Sequence, residues 1–216
     1  MKRLEAKTAA NASYPFILRC PGQDYRGEHF AFDGEEVTIG RFIPGKISIF
    51  AEFINRFDGI MKEGLMGGAL SMAWPLLNYQ EVQKRLKYNK AKLEGRPVHA
   101  LEYRARHGLG DFKILLYFEP ATFHHIRTEY KLHITAAIGS GPATGIGIER
   151  PDVHYLIAEE FEDFKEVDGL TLPHRYTIRY SAEEPARTFI AYWVLQAEQW
   201  VHNGQIDPGF FRAPGY

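Results

Sequence analysis

Histidines are the first residues of this sequence that could do chemistry, because imidazole binds metal ions and transfers protons near neutral pH. His124 and His125 are adjacent in a predicted strand, where successive side chains point to opposite faces. Only one of the two could therefore join His133 or His154 in a common site. Since a metal site needs three or four convergent ligands and no His-Glu-x-x-His motif is present, we predict solvated or hydrogen-bonded histidines and no metal site.

Acidic residues form a second candidate region between positions 159 and 163. Strand alternation places Glu159 and Asp163 on one face and Glu160 and Glu162 on the other. Paired carboxylates that perform acid–base chemistry must face each other across a cleft. The pattern favours instead a solvated strand face opposite basic residues of a neighbouring strand. An enzyme that uses these carboxylates is the alternative.

Most known catalytic signatures are absent from the sequence. None of the five serines lies in a Gly-x-Ser-x-Gly nucleophile elbow, and no phosphate-binding Gly-x-x-x-x-Gly-Lys-Ser/Thr loop occurs. The glycines between 139 and 147 lack the spacing of a dinucleotide-binding loop and are typical of an ordinary turn. We therefore predict no catalytic residue and no cofactor.

The charges of the chain nearly cancel, because 26 Lys and Arg residues face 27 Asp and Glu residues. Without a basic excess, we predict no binding to nucleic acid. The basic stretch 84–96 is explained as a lysine-rich edge strand that resists aggregation. Cys20 is the only cysteine, which excludes an intrachain disulfide, and no apolar run approaches the ~18 residues of a membrane-spanning helix.

Hydrophobic periodicity identifies the elements that must position any site. After Gln83, segments of period two alternate with separators containing Gly, Pro or Asp, and most of these are too short for parallel crossovers. Asp33-Gly34 and Asp168-Gly169 mark two-residue hairpins. We predict an α+β, mostly β fold in which one highly curved antiparallel sheet, a half-barrel, wraps around a short helical insertion. The whole chain, 1–216, forms a single domain with a C-terminal tail at about 203–216.

The helical insertion covers about residues 46–77 and is the most apolar part of the chain. An apolar stripe at helical spacing is formed by Ile47, Phe50, Ala51, Ile54 and Phe57 and is widened by Phe53, and a glycine- and methionine-rich stretch follows it. The insertion is either plain core or a deformable lid over an apolar cavity, with inward residues of later strands as the opposite wall. The predicted ligand-binding residues are Phe53, Phe57, Leu65, Met66, Leu70, Trp74, Phe118, Tyr176 and Trp193.

Three regions between Tyr14 and Tyr180, one N-terminal, one central and one C-terminal, together resemble the LolA/LolB-like lipoprotein-carrier superfamily. LRCPGQDYRGEHFAFDGEEVTI is similar to the family's strands around a Pro-Gly-x-x-Phe/Tyr-Arg turn and an Asp-Gly hairpin. LEGRPVHALEYRAR and FKILLYFEPATFHHIRTEY are similar to strands that follow Gly-Arg and Asp-Pro-x-Thr turns, with Glu119 in place of the aspartate. FEDFKEVDGLTLPHRYTIRY is similar to the family's Asp-Gly-x-x-x-Pro strand pair.

The resemblance implies a half-barrel whose apolar cavity holds acyl chains, a periplasmic or cell-envelope location, and no catalysis. We expect a monomeric, non-enzymatic protein that binds a lipid or lipoprotein acyl chain and associates peripherally with a membrane. An export signal is expected upstream of Met1. Burial of about 0.8 kcal/mol per CH₂ would hold a long chain without polar contacts. The alternatives are a hydrolase-like enzyme that uses strand-borne His and Glu residues, and a module that pairs a strand edge with another protein.

Overall fold

Two antiparallel sheets account for the ten strands of the structure, a computed structural model that describes residues 14–18, 28–32, 35–41, 48–71, 74–105, 112–135 and 152–201. The smaller sheet has the order β1-β2-β3, and the larger one follows the chain from β4 to β10. The small sheet contains β1 (Tyr14–Leu18), β2 (Glu28–Phe32) and β3 (Val37–Arg41). The large sheet contains β4 (Leu86–Leu93), β5 (Arg96–Tyr103), β6 (Lys113–Phe118), β7 (His125–Ile134), β8 (Val153–Val167), β9 (Leu170–Glu184) and β10 (Arg187–Gln196).

The predicted fold class is confirmed, because the chain is mostly β, with a curved antiparallel sheet and few helices. The large sheet is not closed into a barrel, and β4 and β10 form its two edges. The expectation of one continuous sheet is wrong for the described strands. The helical insertion separates β3 from β4 along the chain, so these strands are not joined as a hairpin and do not pair.

The described part of the insertion contains three short α-helices and three 3₁₀ turns. It extends to Arg85, eight residues beyond the predicted end at 77, so Lys84 and Arg85 precede the strand in which they were expected. The Ser48 hydroxyl caps the first helix by accepting a hydrogen bond from the Ala51 N–H at 3.0 Å. The helices are α1 (Ile49–Arg56), α2 (Gly59–Lys62) and α3 (Tyr79–Val82), and the 3₁₀ turns cover 68–70, 75–78 and 83–85.

The apolar side of α1 is buried as the helical spacing predicts. Phe50, Ala51 and Ile54 are fully buried. The Phe50 ring packs against Trp193 of β10, with ring centroids 5.0 Å apart, and against Phe30 of the small sheet at 5.4 Å. The insertion therefore joins both sheets through one hydrophobic core.

The hairpin predicted at Asp168-Gly169 is confirmed. The two residues connect β8 to β9 and have φ angles of 51° and 80°, as a type I′ turn requires. Asp33-Gly34, the glycine-rich segment 139–147 and the tail 203–216 lie outside the described residues. Among the described residues, no helix is long and apolar enough to span a membrane.

Candidate functional site

All nine predicted ligand-binding residues lie in or against the main hydrophobic core. Insertion residues meet strand residues there: the Tyr176 hydroxyl lies 3.4 Å from the Met66 sulfur, and Trp74 packs on His125 of β7. The structure thus packs the insertion residues directly against the strand residues. The buried members are Phe53, Leu65, Met66, Trp74, Tyr176 and Trp193, and the partly buried ones are Phe57, Leu70 and Phe118.

A cavity of about 470 Å³, hereafter the aromatic cavity, lies between α1 and strands β8 to β10. Phe53 and Phe57 are the two predicted site residues that line it. Its other walls come from residues of the three strands that the sequence did not identify. The lining consists of Ile49, Glu52, Phe53, Arg56, Phe57, Tyr155, Tyr180, Ala182, Glu184, Arg187, Thr188 and Phe189.

Phe53 is the centre of the aromatic wall. Its ring lies 4.7 Å from that of Phe57, the residue that follows α1, and 5.6 and 5.7 Å from Tyr155 and Tyr180 on the strands. The Tyr180 ring in turn contacts Phe189 of β10 at 6.2 Å. These separations are normal for packed aromatic pairs, so the wall is a preformed apolar surface.

Charged side chains surround this aromatic wall. Arg56 lies over the Phe57 ring at 5.2 Å, and Arg187 is paired with Glu184, its Nε 2.8 Å from the carboxylate. Burial, with the neighbouring Tyr155, Glu52 and Glu184, raises the pKa of Tyr180 above its usual range. The Tyr180 hydroxyl therefore stays protonated and can donate a hydrogen bond. The cavity combines an apolar wall with both signs of charge.

A second feature, hereafter the Glu159 cluster, lies in the core where the insertion meets β7, β8 and β9. The Glu159 carboxyl group is fully buried and accepts hydrogen bonds from the Tyr130 hydroxyl at 2.5 Å, the Tyr176 hydroxyl, and the Gly67 N–H at 2.7 Å. Burial raises the pKa of Glu159 to about 7, although the three hydrogen bonds act to lower it. Glu159 thus ties the insertion to the sheet while remaining close to its ionisation point at neutral pH.

The expectation of a solvated acidic strand face is therefore wrong for Glu159. Asp163 adopts a left-handed φ of 55°, so the alternation that predicted it on the same face as Glu159 is broken there. Asp163 is exposed and pairs with Lys165 instead, whereas Glu162 meets Arg175 of β9 across the strands, as expected for a solvated face.

His125 lies beside the Glu159 cluster and is hydrogen-bonded, as predicted for most histidines of the chain. Its Nε2 lies 2.9 Å from the Thr128 hydroxyl, and its ring packs on Trp74, Phe118 and Phe161. Burial lowers the pKa of His125 to about 3, so the imidazole is neutral at physiological pH.

Comparison with protein-family models, with curated proteins and with solved structures finds no match to this chain. Function must therefore be inferred from the geometry of the chain itself.

Proposed function

We propose that this protein is a non-enzymatic binder of a hydrophobic ligand, a lipid or acyl chain, and that the ligand occupies the aromatic cavity. The observation that carries the proposal is the wall of Phe53, Phe57, Tyr155, Tyr180 and Phe189 around a space of about 470 Å³. Sites for small ligands have volumes of about 300–1,000 Å³ and mostly apolar linings with a few polar groups. The aromatic cavity has a volume in this range, and its lining combines apolar and aromatic side chains with charged ones.

The charged rim indicates an amphiphile rather than a pure hydrocarbon. Arg56 is held over the Phe57 ring, and the Tyr180 hydroxyl remains a donor, so both can contact an anionic or hydroxylated head group. Arg187 forms an ion pair with Glu184 and would have to break it to contact the head group of the ligand. The apolar part of the ligand would gain about 0.8 kcal/mol for each buried CH₂.

The LolA/LolB resemblance is the support for a cell-envelope location, for peripheral membrane association and for a lipoprotein acyl chain as the ligand. These assignments belong to the proposal. Fractionation of cells that produce the native protein tests the location, since recovery in the cytosolic fraction alone would contradict it.

Catalysis by Glu159 and His125 is the competing hypothesis. Both side chains are buried, and their polar contacts are to Tyr130, Tyr176 and Thr128 within the core. Neither residue lines the aromatic cavity. Binding without chemistry therefore accounts for the cavity better than hydrolysis does.

The edge of β10 supports a second candidate function, pairing with a second copy of this chain. Phe189, Ile190, Tyr192 and Val194 are each more than two fifths exposed along this edge strand. An apolar strand edge is a template for antiparallel pairing. Sedimentation velocity tests this: a dimer that Ile190→Lys with Val194→Lys abolishes supports it, and a monomer at all concentrations overturns it.

Ligand binding is tested by thermal-shift titration with palmitate below its micellar concentration. A ligand specific for the folded state raises stability by about 2.7 kcal/mol at a hundredfold excess over Kd. Ala182→Trp places an indole in the aromatic cavity and should abolish the shift. Leu70→Trp, in the part of the predicted site built by the 3₁₀ turn at 68–70, should retain it.

The outcomes of this titration separate the hypotheses. If the thermal shift caused by palmitate is lost in Leu70→Trp but retained in Ala182→Trp, the ligand binds on the core side of the insertion and not in the aromatic cavity. No shift in the wild type with palmitate or a phospholipid would overturn the proposal. Hexadecanol in place of palmitate, with Arg56→Gln, tests the role of the rim: binding of palmitate should weaken in the variant and binding of hexadecanol should not.

A further inference from the structure

Three potential metal ligands converge on the exposed end of the β7–β8 pair, on the face of the large sheet opposite the aromatic cavity. His133 of β7 is the direct cross-strand partner of His154 of β8, and Asp152 immediately precedes β8. The two imidazole rings are stacked with centroids 4.0 Å apart and planes within 9°. The Asp152 carboxylate reaches both: one oxygen lies 2.5 Å from His133 Nε2, and the other lies 3.9 Å from His154 Nε2.

We propose that His133, Asp152 and His154 form a binding site for a divalent transition-metal ion, with Zn²⁺ as the favoured ion. Their ligand atoms lie within 4.8 Å of one another, and the described residues contain no other such group of three. Tetrahedral Zn²⁺ with bonds of about 2.0–2.1 Å needs ligand atoms roughly 3.3 Å apart. The two stacked rings must tilt out of their parallel arrangement so that one nitrogen of each points at the ion, which then replaces the hydrogen bond between His133 and Asp152.

The surroundings of these residues allow an ion to enter. The side chains of His133, Asp152 and His154 are 48%, 44% and 57% exposed, so they can rotate without disturbing the core. Glu183 of β9 is the direct cross-strand partner of His154 and therefore adds a carboxylate on the same face. Directly paired residues have Cβ atoms about 4.5–5.5 Å apart, so Glu183 lies close to the site.

The donor set selects the kind of metal. Imidazole nitrogen suits Zn²⁺, Cu²⁺, Ni²⁺ and Fe²⁺, whereas Mg²⁺ and Ca²⁺ prefer sites made entirely of oxygen. Two imidazoles and one carboxylate leave at least one coordination position for water or a further ligand. The sequence alone did not predict this ligand set, because His133 and His154 are 21 positions apart and only the strand register makes them neighbours.

Isothermal titration of the full, untagged, chelator-treated protein with Zn²⁺ tests the proposal. We expect saturable binding of one ion per chain, weakened at least about tenfold by His133→Ala, by His154→Ala and by Asp152→Asn. His99→Ala is the matched control, because His99 pairs with Tyr88 on a distant edge strand and should leave the affinity unchanged. All four positions are on the sheet surface, and circular dichroism verifies that each variant is folded.

Co²⁺ provides a second measurement that does not depend on affinity. Its visible absorption should show a four- or five-coordinate complex with nitrogen ligands in the wild type and should disappear in His133→Ala with His154→Ala. Absence of Zn²⁺ binding, or binding that neither histidine variant weakens, overturns the proposal. It is independent of the lipid site, since a protein without palmitate binding could still bind Zn²⁺.

Discussion

Two buried glutamates on opposite faces of the large sheet show how neighbours decide the charge of a carboxyl group. Glu159 lies on the inner face of the sheet, which contacts the insertion, and Glu129 lies on the opposite, outer face. Glu159 receives hydrogen bonds only from neutral donors, two tyrosines and a backbone N–H. Glu129 faces the other side, with Arg127 Nη2 at 2.9 Å, Lys131 Nζ at 2.7 Å and the Tyr117 hydroxyl at 3.1 Å. Their pKa values consequently move in opposite directions.

The difference has a consequence for stability. Burial acts to raise the pKa of Glu129, but the hydrogen bond from Lys131 and the charges of Arg127 and Lys131 hold it below the usual range. Glu129 therefore stabilises the fold above the pKa of the unfolded chain, and this contribution is lost as the pH falls. Glu159, with its raised pKa, stabilises the fold below about pH 4.5, and its contribution is lost as the pH rises through about 7.

The largest expected effect comes from removing the central cation of the outer face. Arg127→Met leaves Glu129 buried with Lys131 as its one remaining cation and also breaks the contact with Glu160 at 2.8 Å. Breaking a buried ion pair from one side costs about 3–5 kcal/mol. Chemical denaturation at pH 7 should show this loss in the free energy of unfolding.

Lys131→Met is the matched control. Its side chain is 48% exposed, so the loss should stay below about 1 kcal/mol. Equal losses in the two variants would mean that the outer network depends on summed charge and not on the buried arginine.

The general architecture was accessible from the sequence because local rules determine it. Strand alternation, the type I′ turn at Asp168-Gly169 and the apolar stripe of α1 each depend on residues close together in the chain. The boundary of the insertion was missed because 3₁₀ turns such as 83–85 leave no periodic signal. The division into two sheets depends on which strands pair over long distances.

The candidate sites were less accessible for the same physical reason. Phe53 and Phe57 were identified from helical spacing, but Tyr155, Tyr180 and Phe189 join them only through the register of three strands. Glu159 was assigned to solvent because its donor Gly67 lies 92 positions away along the chain. Its other donors, Tyr130 and Tyr176, lie on two neighbouring strands, so no local spacing in the sequence links them to Glu159.

Gly68 tests how tightly the inner face is closed. A Cβ at this position would lie 2.6 Å from His125 Nδ1 and 2.9 Å from the Phe161 ring, and both rings are buried. Gly68→Ala also places alanine at a φ of 50°. We expect a loss of about 3 kcal/mol in the free energy of unfolding from overpacking and backbone strain together.

Gly67→Ala separates the two causes. Gly67 has a φ of 86°, but a Cβ added there would have no atom within 4 Å, so only the backbone cost of about 1–2 kcal/mol applies. If both glycine variants lose the same stability, the inner face is not close-packed around His125.

Glu159→Gln tests the pH dependence assigned to the inner face. The folded protein retains a proton on Glu159 that the unfolded chain has released, so the stability of the wild type relative to the variant should fall by about 2 kcal/mol from pH 5 to pH 8. His125, with its lowered pKa, changes stability in the opposite direction below about pH 6.5. The difference between the two proteins isolates Glu159, because His125 is present in both.

Glu160→Gln is the neighbouring control for this measurement. Glu160 is on the outer face beside Arg127, so its replacement should not remove the decline of stability between pH 5 and pH 8. A decline that persists unchanged in Glu159→Gln would contradict the assignment of the raised pKa to Glu159.

The smallest effects are expected from two tyrosine-to-phenylalanine changes that each remove one hydrogen bond from one of the glutamates. Tyr176→Phe removes a bond that lowers the pKa of Glu159, so this pKa should rise further above its ordinary value. The loss in the free energy of unfolding should be about 1 kcal/mol at pH 5, where Glu159 is protonated. It should be larger at pH 8, where the folded protein must hold an ionised group with one donor fewer.

Tyr117→Phe removes a donor from Glu129, which is ionised at both pH values and keeps Arg127 and Lys131. The loss of about 1 kcal/mol in the free energy of unfolding should therefore not change with pH. Denaturation of both variants at pH 5 and pH 8 measures this contrast. If the loss in the free energy of unfolding of Tyr176→Phe does not depend on pH, the removed hydrogen bond has the same effect on Glu159 as on Glu129.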